Sequence, residues 1–388
     1  MSLKQITYSI IKEKPKMKPL KILLIDPCYL NTFTRHVIYT PLNIGYIGAY
    51  TKALFGNSVD IAIHKDHRQF LDAVQSFRPH LVGFSFYVWN TDLTKTLISI
   101  VREKMGNEAI IVAGGPSVDI DSKVQLSIFD LLPGVDALIP DDGEIGFSNL
   151  VSILLGGGKA LQCVPIDGVV FRNGSSLVVG ESVGNFLDLS TLPSPYLTGL
   201  LDEFLTTPYR PLIQTNRGCP YTCRFCVAGR SNEKMRQFPL EQVKEEITFI
   251  SKKYSGEDNL PLFIADLNFG MFKQDIEISR HLREMSRSYN FPTDVGIYTD
   301  KRFSSKTRAM MEELGELNGQ GIAIAFQSEN EESLQSVKRT NLPEQEIVDA
   351  IEWARARKIQ ITAVYIFGMP NETREAFVEM LKRGYARK

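Results

Sequence analysis

The feature that most constrains the fold of this chain is the regular alternation of short apolar runs with helical patterns. In the first half, strand-like runs such as Ile22–Asp26 and Val59–Ile63 are separated by the helical stretch Ile44–Phe55. Continuous Val, Ile and Leu runs with helices between them indicate a parallel sheet covered on both faces. Further strands are expected at Leu81–Ser85, Ala109–Ala113 and Ala137–Ile139. The sequence therefore predicts an α/β chain that begins with a Rossmann-like sheet.

Two loops of this sheet have the chemistry of a ligand site. In such sheets ligands bind beyond the carboxyl ends of the strands, where the strand order reverses. The segment Phe86-Tyr87-Val88-Trp89-Asn90 places aromatic rings at one strand end, and Gly114-Gly115-Pro116 lets the backbone approach a ligand closely. A large flat ligand would fit, whereas the missing Gly-x-Gly-x-x-Gly argues against a nicotinamide cofactor. The alternative is a ligand-free unit whose aromatic rings only pack.

Three of the five cysteines fall within eight positions, as Cys219, Cys223 and Cys226, directly after a predicted strand at Leu212–Asn216. Close spacing in a chain without a disulfide framework points to metal or redox chemistry. Iron–sulfur clusters normally take four thiolates, so three would leave one iron open for a substrate. A structural zinc site would need a fourth Cys or a nearby His, and the five histidines are remote. Cys28 and Cys163 are expected to be ordinary thiols.

The second half repeats strands and helices in the manner of a barrel whose active site lies at the carboxyl ends of the strands. Strands are predicted at Leu262–Leu267, Thr293–Tyr298, Gly321–Phe326 and Ile361–Phe367. Polar candidates follow them: Asp266, Asn268, Gln327-Ser328-Glu329 and Gly368 with Glu372. Glu329 and Glu372 could instead be helix caps, and Lys338-Arg339 could be a solvated helix face.

The Cys-x-x-x-Cys-x-x-Cys motif is the signature of the radical S-adenosylmethionine family, which this chain resembles over residues 20–388. Gly368-Met369-Pro370-Asn371-Glu372-Thr373 resembles the family's Gly-x-Pro-Gly-Glu-Thr, with Asn371 in place of the second Gly. The resemblance implies that the three cysteines bind a 4Fe–4S cluster. It also implies contacts to S-adenosylmethionine from Phe225, Asp266, Gln327, Ser328, Glu329 and Gly368.

The first half looks like the cobalamin-binding domain of the cobalamin-dependent branch of that family. The matching pieces are Pro41–Tyr50, Val82–Ser85, Gly114–Pro116 and Asp141-Asp142-Gly143-Glu144, the last standing for the usual Gly-Glu-Gly-Glu. The Asp-x-His-x-x-Gly motif that supplies a cobalt ligand elsewhere is replaced by Asp26-Pro27-Cys28-Tyr29. The resemblance implies cobalamin contacts from Tyr87, Trp89, Asn90, Gly114, Gly115, Pro116, Gly143 and Glu144.

The expected organisation has four parts. Residues 1–19 form a leader, and residues 20–160 a flavodoxin-like domain of the cobalamin-binding type. A hairpin and linker at 161–205 connect it to a partial (β/α)6 barrel at 206–388. The family barrel has six strand–helix units, and this chain stops in the helix after the fifth. We therefore expect a truncated form with an open strand edge, which is an association hazard.

The function implied by the resemblance is reductive cleavage of S-adenosylmethionine to a 5′-deoxyadenosyl radical, used for cobalamin-dependent methylation of an unactivated carbon. The alternatives are a radical cyclase or rearrangement enzyme without functional cobalamin, and a truncated, non-catalytic iron–sulfur or corrinoid-binding protein. The expected partners are a small-molecule substrate and an external electron donor of the flavodoxin or ferredoxin type.

The bulk composition narrows the partners and the compartment. A formal net charge of −1 argues against nucleic acid as the main partner. The apolar runs fall short of the roughly 20 residues that cross a membrane. We therefore expect a cytoplasmic chain that binds neither nucleic acid nor a membrane.

Overall fold

The computed structural model describes residues 18–29, 38–158, 164–184, 187–229, 234–257, 260–319 and 321–386. The chain divides into two compact units, the first ending at Asp202 and the second beginning at Glu203. Nearly all of the expected leader lies outside the described residues, and so does Cys163. Among the described helices, none has the length and apolarity that a bilayer crossing requires.

The N-terminal unit is built on one seven-stranded sheet. Its strands are β1 (Leu20–Ile25), β3 (Val59–His64), β4 (Leu81–Ser85), β5 (Ile110–Gly114), β6 (Ala137–Ile139), β7 (Val170–Asn173) and β8 (Ser176–Val179), and a short β2 (Ile38–Tyr39) lies outside it. The spatial order is β3-β1-β4-β5-β6-β7-β8, and the first five strands are parallel. This is the predicted flavodoxin-like order, and it reverses direction between β1 and β4.

Five helices cover this sheet: α1 (Leu42–Phe55), α2 (His67–Phe77), α3 (Thr91–Met105), α4 (Ser122–Leu131) and α5 (Glu144–Leu155). The residues of β1 from Ile22 to Ile25 are almost completely buried, because both faces of the strand are covered. Phe70 of α2 and Leu97 of α3 belong to the core cluster on one face. Helices α1 and α5 contact each other. Helix α4 was not predicted, although a parallel crossover from β5 to β6 requires a connection of its length.

The hairpin that the sequence places in a connecting segment belongs to the N-terminal sheet. Strand β7 pairs antiparallel with β6, and β8 pairs antiparallel with β7. Phe171 of β7 is fully buried. The Asn173-Gly174 pair predicts the hairpin turn, but the local sequence does not show which sheet the hairpin extends, because strand pairing between distant segments is a tertiary property.

The C-terminal unit is assembled from short strands, several of them paired in parallel, and from helices. Its strands are β9 (Tyr209–Arg210), β10 (Leu212–Ile213), β11 (Asn216–Arg217), β12 (Arg236–Gln237), β13 (Leu262–Ile264), β14 (Val295–Gly296), β15 (Ile322–Gln327) and β16 (Ile361–Tyr365). Its helices are α6 (Leu240–Lys253), α7 (Lys273–Tyr289), α8 (Ser305–Leu314), α9 (Glu331–Ser336), α10 (Glu344–Ala356) and α11 (Arg374–Ala386). Parallel pairing joins β10 to β13, β13 to β14, and β15 to β16.

Several strands of this unit are shorter than the sequence predicts. The run Leu262–Leu267 leaves the sheet after Ile264, and Leu212–Asn216 is divided between β10 and β11. The reason is a buried carboxylate, Asp266, that bonds to Thr215 and Asn216. The backbone must turn at both places to bring these groups together. The spacing of apolar residues along the sequence gives no indication of such a polar contact.

Candidate functional site

The three cysteines predicted as metal ligands lie on the loop that follows β11. Cys223 is buried, whereas Cys219 and Cys226 are half-buried. Gly218 opens the loop with φ +94°, where a Cβ would lie 2.9 Å from the Lys234 carbonyl oxygen. Only glycine adopts this conformation readily. The amide of Arg224 donates to the Val337 carbonyl over 3.0 Å, which ties the loop to the end of α9.

Two side chains direct N–H groups at the sulfurs of this loop. Asn268 Nδ2 lies 3.4 Å from Cys219 Sγ, and Arg339 Nη1 lies 4.0 Å from Cys223 Sγ. Arg339 is buried, so it is not the solvated group that the sequence left open, whereas its neighbour Lys338 is exposed. Thiolate ligands that accept hydrogen bonds are typical of iron–sulfur sites.

The three cysteines lie on one loop, and two of their sulfurs face side-chain N–H groups. Within the described ranges, no three Cys, His, Asp or Glu side chains converge as the ligands of one ion would. Three thiolates that hold three different irons of a 4Fe–4S cluster need not converge. The residues present therefore suit the cluster that the motif implies.

Asp266, predicted to contact a cofactor, takes a different position. Its carboxylate is buried and accepts from the Thr215 amide over 2.8 Å, from the Thr215 hydroxyl and from Asn216 Nδ2 over 2.6 Å. Burial raises the pKa of Asp266 to about 7, and the bonds from Thr215 oppose that rise. These contacts fix the strand ends before the cysteine loop, and the cofactor contact expected of Asp266 stays a prediction.

The ends of β15 and β16 bring together several predicted residues. Ser328 Oγ donates to Glu372 Oε1 over 2.5 Å. Gln327 has a φ of +64°, and its Oε1 atom is buried. Among the described residues, neither Gln327 Oε1 nor Glu372 Oε2 has a hydrogen-bond partner. Buried acceptors of this kind normally receive a hydrogen bond. We therefore expect a bound ligand to supply the donor.

Glu329 lies at the same strand end but is already engaged. Tyr365 Oη donates to its Oε1 over 3.4 Å, and Arg383 Nε approaches its Oε2 at 3.1 Å. Gly368, with φ +85°, is exposed, and the Phe225 ring on the cysteine loop is also partly exposed. A contact from Glu329 to a cofactor would therefore have to compete with Arg383.

A pair of groups beside the cysteine loop was missed by the sequence analysis. Tyr221 Oη donates to Asp300 Oδ1 over 2.6 Å, and Lys301 Nζ lies 3.8 Å from the centre of the Tyr221 ring. Burial and the bond to Asp300 raise the pKa of Tyr221. Burial and then repulsion from Arg339 lower the pKa of Lys301. Both Asp300 and Lys301 follow β14 as Asp266 follows β13, which is the signal that could have revealed them.

In the N-terminal unit, Tyr87 and Trp89 form a stacked pair after β4, with ring centres 4.4 Å apart. Trp89 is 68% exposed, so a flat surface is presented to solvent. Asn90 is buried, and its Nδ2 donates to the carbonyls of Ser85 at 3.0 Å and Pro27 at 3.3 Å. Asn90 thus holds the loop, and Val88 and Trp89 are its exposed members.

The remaining predicted residues lie at the neighbouring strand ends. Gly115 follows β5 with φ +116°, where a Cβ would lie 3.0 Å from the Phe86 carbonyl oxygen, and Pro116 is exposed. Gly143 is the N-cap of α5, and Glu144 beside it is buried. Gly114 is the last residue of β5. Because β4, β5 and β6 are adjacent, these loops share one edge of the sheet.

One network at this edge was not predicted. Asp26, after β1, forms an ion pair with Lys65, after β3, and accepts a hydrogen bond from the Ser85 hydroxyl of β4. All three side chains are buried. The signal was available, since opposite charges stand one residue beyond Ile25 and His64, which are register partners. The network satisfies the polar groups at the point where the strand order reverses.

Comparison with known proteins agrees with both halves of this description. Residues 213–384 match the model described as the radical SAM superfamily, and residues 30–151 match the B12 binding domain. The solved structure of the radical S-adenosylmethionine methyltransferase TsrM from Kitasatospora setae has a TM-score of 0.70 at 17% identity. That match covers 95% of this chain and 73% of TsrM, and it concerns the fold alone.

Two curated relatives are similar in sequence. The cobalamin-dependent radical SAM methyltransferase TokK of Streptomyces tokunonensis is 30% identical over 77% of this chain and 44% of TokK. The 2-(S-pantetheinyl)-carbapenam-3-carboxylate methyltransferase of Streptantibioticus cattleyicolor is 28% identical over the same shares. The chain thus spans about half the length of the curated relatives that it matches. With both models matched, the chain carries a radical SAM domain at residues 213–384 and a B12 binding domain at residues 30–151.

Proposed function

We propose that this chain binds a 4Fe–4S cluster and uses it to cleave S-adenosylmethionine reductively, in the service of cobalamin-dependent methylation of a small molecule at an unactivated carbon. The observation that carries the proposal is the cysteine loop. Cys219, Cys223 and Cys226 lie together after β11, and side-chain N–H groups face two of the sulfurs. When bound, such a cluster supplies the electron that divides S-adenosylmethionine into methionine and a 5′-deoxyadenosyl radical.

The chain's own residues would bind and orient the reactants. The three thiolates would hold the cluster, and a set of three ligands would leave one iron open to a substrate. Gln327 Oε1 and Glu372 Oε2, the buried acceptors without described donors, suit the hydroxyl or ammonium groups of S-adenosylmethionine. Asp266 fixes the strand ends from which the cysteine loop departs. The protein thus supplies geometry while the cofactors carry the difficult chemistry.

The match of residues 30–151 to the B12 binding domain supports cobalamin over a radical enzyme without it. The stacked Tyr87 and Trp89 rings and the Gly114-Gly115 backbone suit a corrin-sized flat ligand at the edge formed by β4 and β5. His64 lies at the end of β3, but Asp26 pairs with Lys65 rather than with a histidine. Because Asp26-Pro27-Cys28-Tyr29 stands in place of the Asp-x-His-x-x-Gly motif, we propose that cobalamin binds here without the histidine ligand which that motif supplies.

The test is anaerobic reconstitution with iron, sulfide and hydroxocobalamin, followed by a spectrum and an assay of 5′-deoxyadenosine. We expect cluster and corrinoid absorbance and 5′-deoxyadenosine from the wild-type chain. Cys223→Ala should lose 5′-deoxyadenosine and retain the corrinoid. A full cluster without any 5′-deoxyadenosine, with dithionite as reductant, would contradict the proposal and favour a binding protein. Product without corrinoid uptake would favour a radical enzyme that does not use cobalamin.

A further inference from the structure

Arg339 carries a positive charge that is buried beside the cysteine loop. The residue is 8% exposed. Across the described ranges, no carboxylate forms an ion pair with its guanidinium group. Removing a charge from water costs several kcal/mol unless an anion or a dense set of hydrogen bonds replaces the solvent. The position of this charge therefore requires an explanation from its surroundings.

Two of the three described contacts of the Arg339 guanidinium group are with neutral oxygens, and the third is with a cysteine sulfur. Its Nη2 group donates to the Ala325 carbonyl, and its Nε group donates to Asn341 Oδ1 over 3.1 Å. Its remaining Nη1 group lies 4.0 Å from Cys223 Sγ. Strand β15 and Asn341 therefore hold the guanidinium group with one side directed at the sulfur. A thiolate that binds iron is the anion available on that side.

Asn268 makes the corresponding contact on another sulfur. Its side chain is buried, and its Nδ2 group lies 3.4 Å from Cys219 Sγ. Asn268 reaches the loop from the segment after β13, whereas Arg339 follows α9. Two independent elements thus aim N–H groups at two different cysteines. A cation close to Arg339, Lys301, is half-buried beside the same loop.

We propose that Arg339, together with Asn268, raises the reduction potential of the cluster held by Cys219, Cys223 and Cys226. The reduction adds one electron, taken from an external one-electron donor, and so adds one negative charge to the cluster. A nearby guanidinium charge and N–H donors to the sulfurs stabilise that added charge, because cluster potentials depend on net charge and on hydrogen bonds to sulfur. The inference rests on the proposed function for the existence of the cluster.

The experiment measures the midpoint potential of the cluster by an EPR-monitored redox titration of the reconstituted chain. Arg339→Met removes the charge and the donors, Arg339→Lys keeps the charge, and Asn268→Leu removes a donor without a change in charge. Lys338→Gln is the matched control, because it deletes a positive charge one residue away on the exposed surface. Circular dichroism and iron content establish that each variant is folded and loaded.

We expect Arg339→Met to lower the midpoint potential so that, at a fixed potential, the ratio of reduced to oxidised cluster falls at least threefold. This corresponds to about 30 mV, since a tenfold change in a one-electron equilibrium is about 59 mV. Asn268→Leu should lower the potential by a smaller amount, and Arg339→Lys should retain most of the wild-type value. If Arg339→Met fails to load iron, Asn268→Leu decides the outcome, because it removes a donor to Cys219 and should still lower the midpoint potential.

Potentials of Arg339→Met and Asn268→Leu that both equal that of Lys338→Gln would overturn the inference. The same holds if Arg339→Lys lowers the potential as far as Arg339→Met, because packing rather than charge would then be the cause. Neither result would affect the proposed function, which fails only if the wild-type chain forms no cluster or does not cleave S-adenosylmethionine.

Discussion

The two units place polar groups at the carboxyl ends of their parallel strands, but they balance these groups differently. In the N-terminal unit, the buried Lys65 is paired with Asp26, which also accepts a bond from Ser85. In the described part of the C-terminal unit, the partners of the buried Arg339 are neutral oxygens and a cysteine sulfur. The first arrangement is electrostatically complete within the protein. The second has no carboxylate partner among the described residues, and the anion nearest to its guanidinium group would be the Cys223 thiolate.

This difference indicates what each strand end is built to receive. A complete network presents rings and backbone, such as Trp89 and Gly115, to a large ligand bound through its surface. A network with a charge that no described carboxylate balances, such as that around Arg339, presents a charged group and hydrogen-bond donors to a ligand that binds through electrostatic attraction and hydrogen bonds. A buried charge or acceptor without a partner is therefore a guide to function.

The largest expected effect tests the completeness of the N-terminal network. Asp26→Ala should lower the free energy of unfolding of that unit by about 3–5 kcal/mol, because it leaves the Lys65 charge buried and unpaired. Urea unfolding followed by Trp89 fluorescence in a Trp353→Phe background would measure it, since each unit contains one of the two tryptophans.

Glu108→Ala is the control for that change. It breaks the surface ion pair with Arg78. The side chain of Arg78 is 59% exposed and that of Glu108 is 67% exposed. Exposed pairs contribute about 1 kcal/mol or less. Equal losses for Asp26→Ala and Glu108→Ala would show that the buried network is not the electrostatic unit described above.

The next effect is a pH dependence confined to the C-terminal unit. Burial raises the pKa of Asp266 to about 7 from its usual 3.8. An acid whose pKa is higher in the folded chain binds more protons when folded, so its contribution to stability is fully present below pH 3.8. The contribution is lost as the pH rises through about 7, and its size is on the order of a few kcal/mol.

Urea midpoints reported by Trp353, in a Trp89→Phe background, should therefore decline between pH 4 and pH 7. Asp266→Asn should flatten this decline, because the amide does not ionise. Asp275, whose pKa burial raises to about 6, would leave a smaller residual slope. An unchanged slope in Asp266→Asn would mean that Asp266 is not the titrating group.

A smaller effect concerns the start of the cysteine loop. Gly218→Ala should cost about 1–3 kcal/mol of local strain and reduce iron incorporation severalfold, because its Cβ meets the Lys234 carbonyl at 2.9 Å. Gly256→Ala is the matched control, since Gly256 has φ +84° but no atom within 4 Å of the added Cβ. Equal iron content in the two variants would show that the close approach of the Lys234 carbonyl oxygen is not the reason why residue 218 is glycine.

The smallest expected effect concerns the ion pair of Glu329. Arg383→Ala should change the free energy of unfolding by less than about 1 kcal/mol, because the Arg383 side chain is 56% exposed. Thermal unfolding of the isolated protein would measure it. A loss of several kcal/mol would show that this strand end, like that of Asp26, is balanced within the protein.

The sequence predicted the N-terminal sheet more completely than the C-terminal strands. Strands such as Leu81–Ser85 and Ala137–Ile139 are as predicted, because a strand buried on both faces requires a continuous apolar run. The predicted strand Thr293–Tyr298 is reduced to Val295–Gly296. Strands that end in polar contacts, as β13 ends before Asp266, carry no periodic signal for their ends.

By itself, the sequence predicted the cysteine loop and the parallel sheet of the N-terminal unit. The spacing of Cys219, Cys223 and Cys226 on one short loop needs no tertiary contact to bring the thiols near one another, and local apolar runs were enough to predict the parallel sheet. The tertiary structure alone decided that the β7–β8 hairpin extends the first sheet and that Asp266 supports the strand ends. It also decided that Arg339 is buried beside Cys223 while Lys338 is exposed. These outcomes depend on contacts between residues far apart in sequence, and such contacts leave no mark in local composition or periodicity.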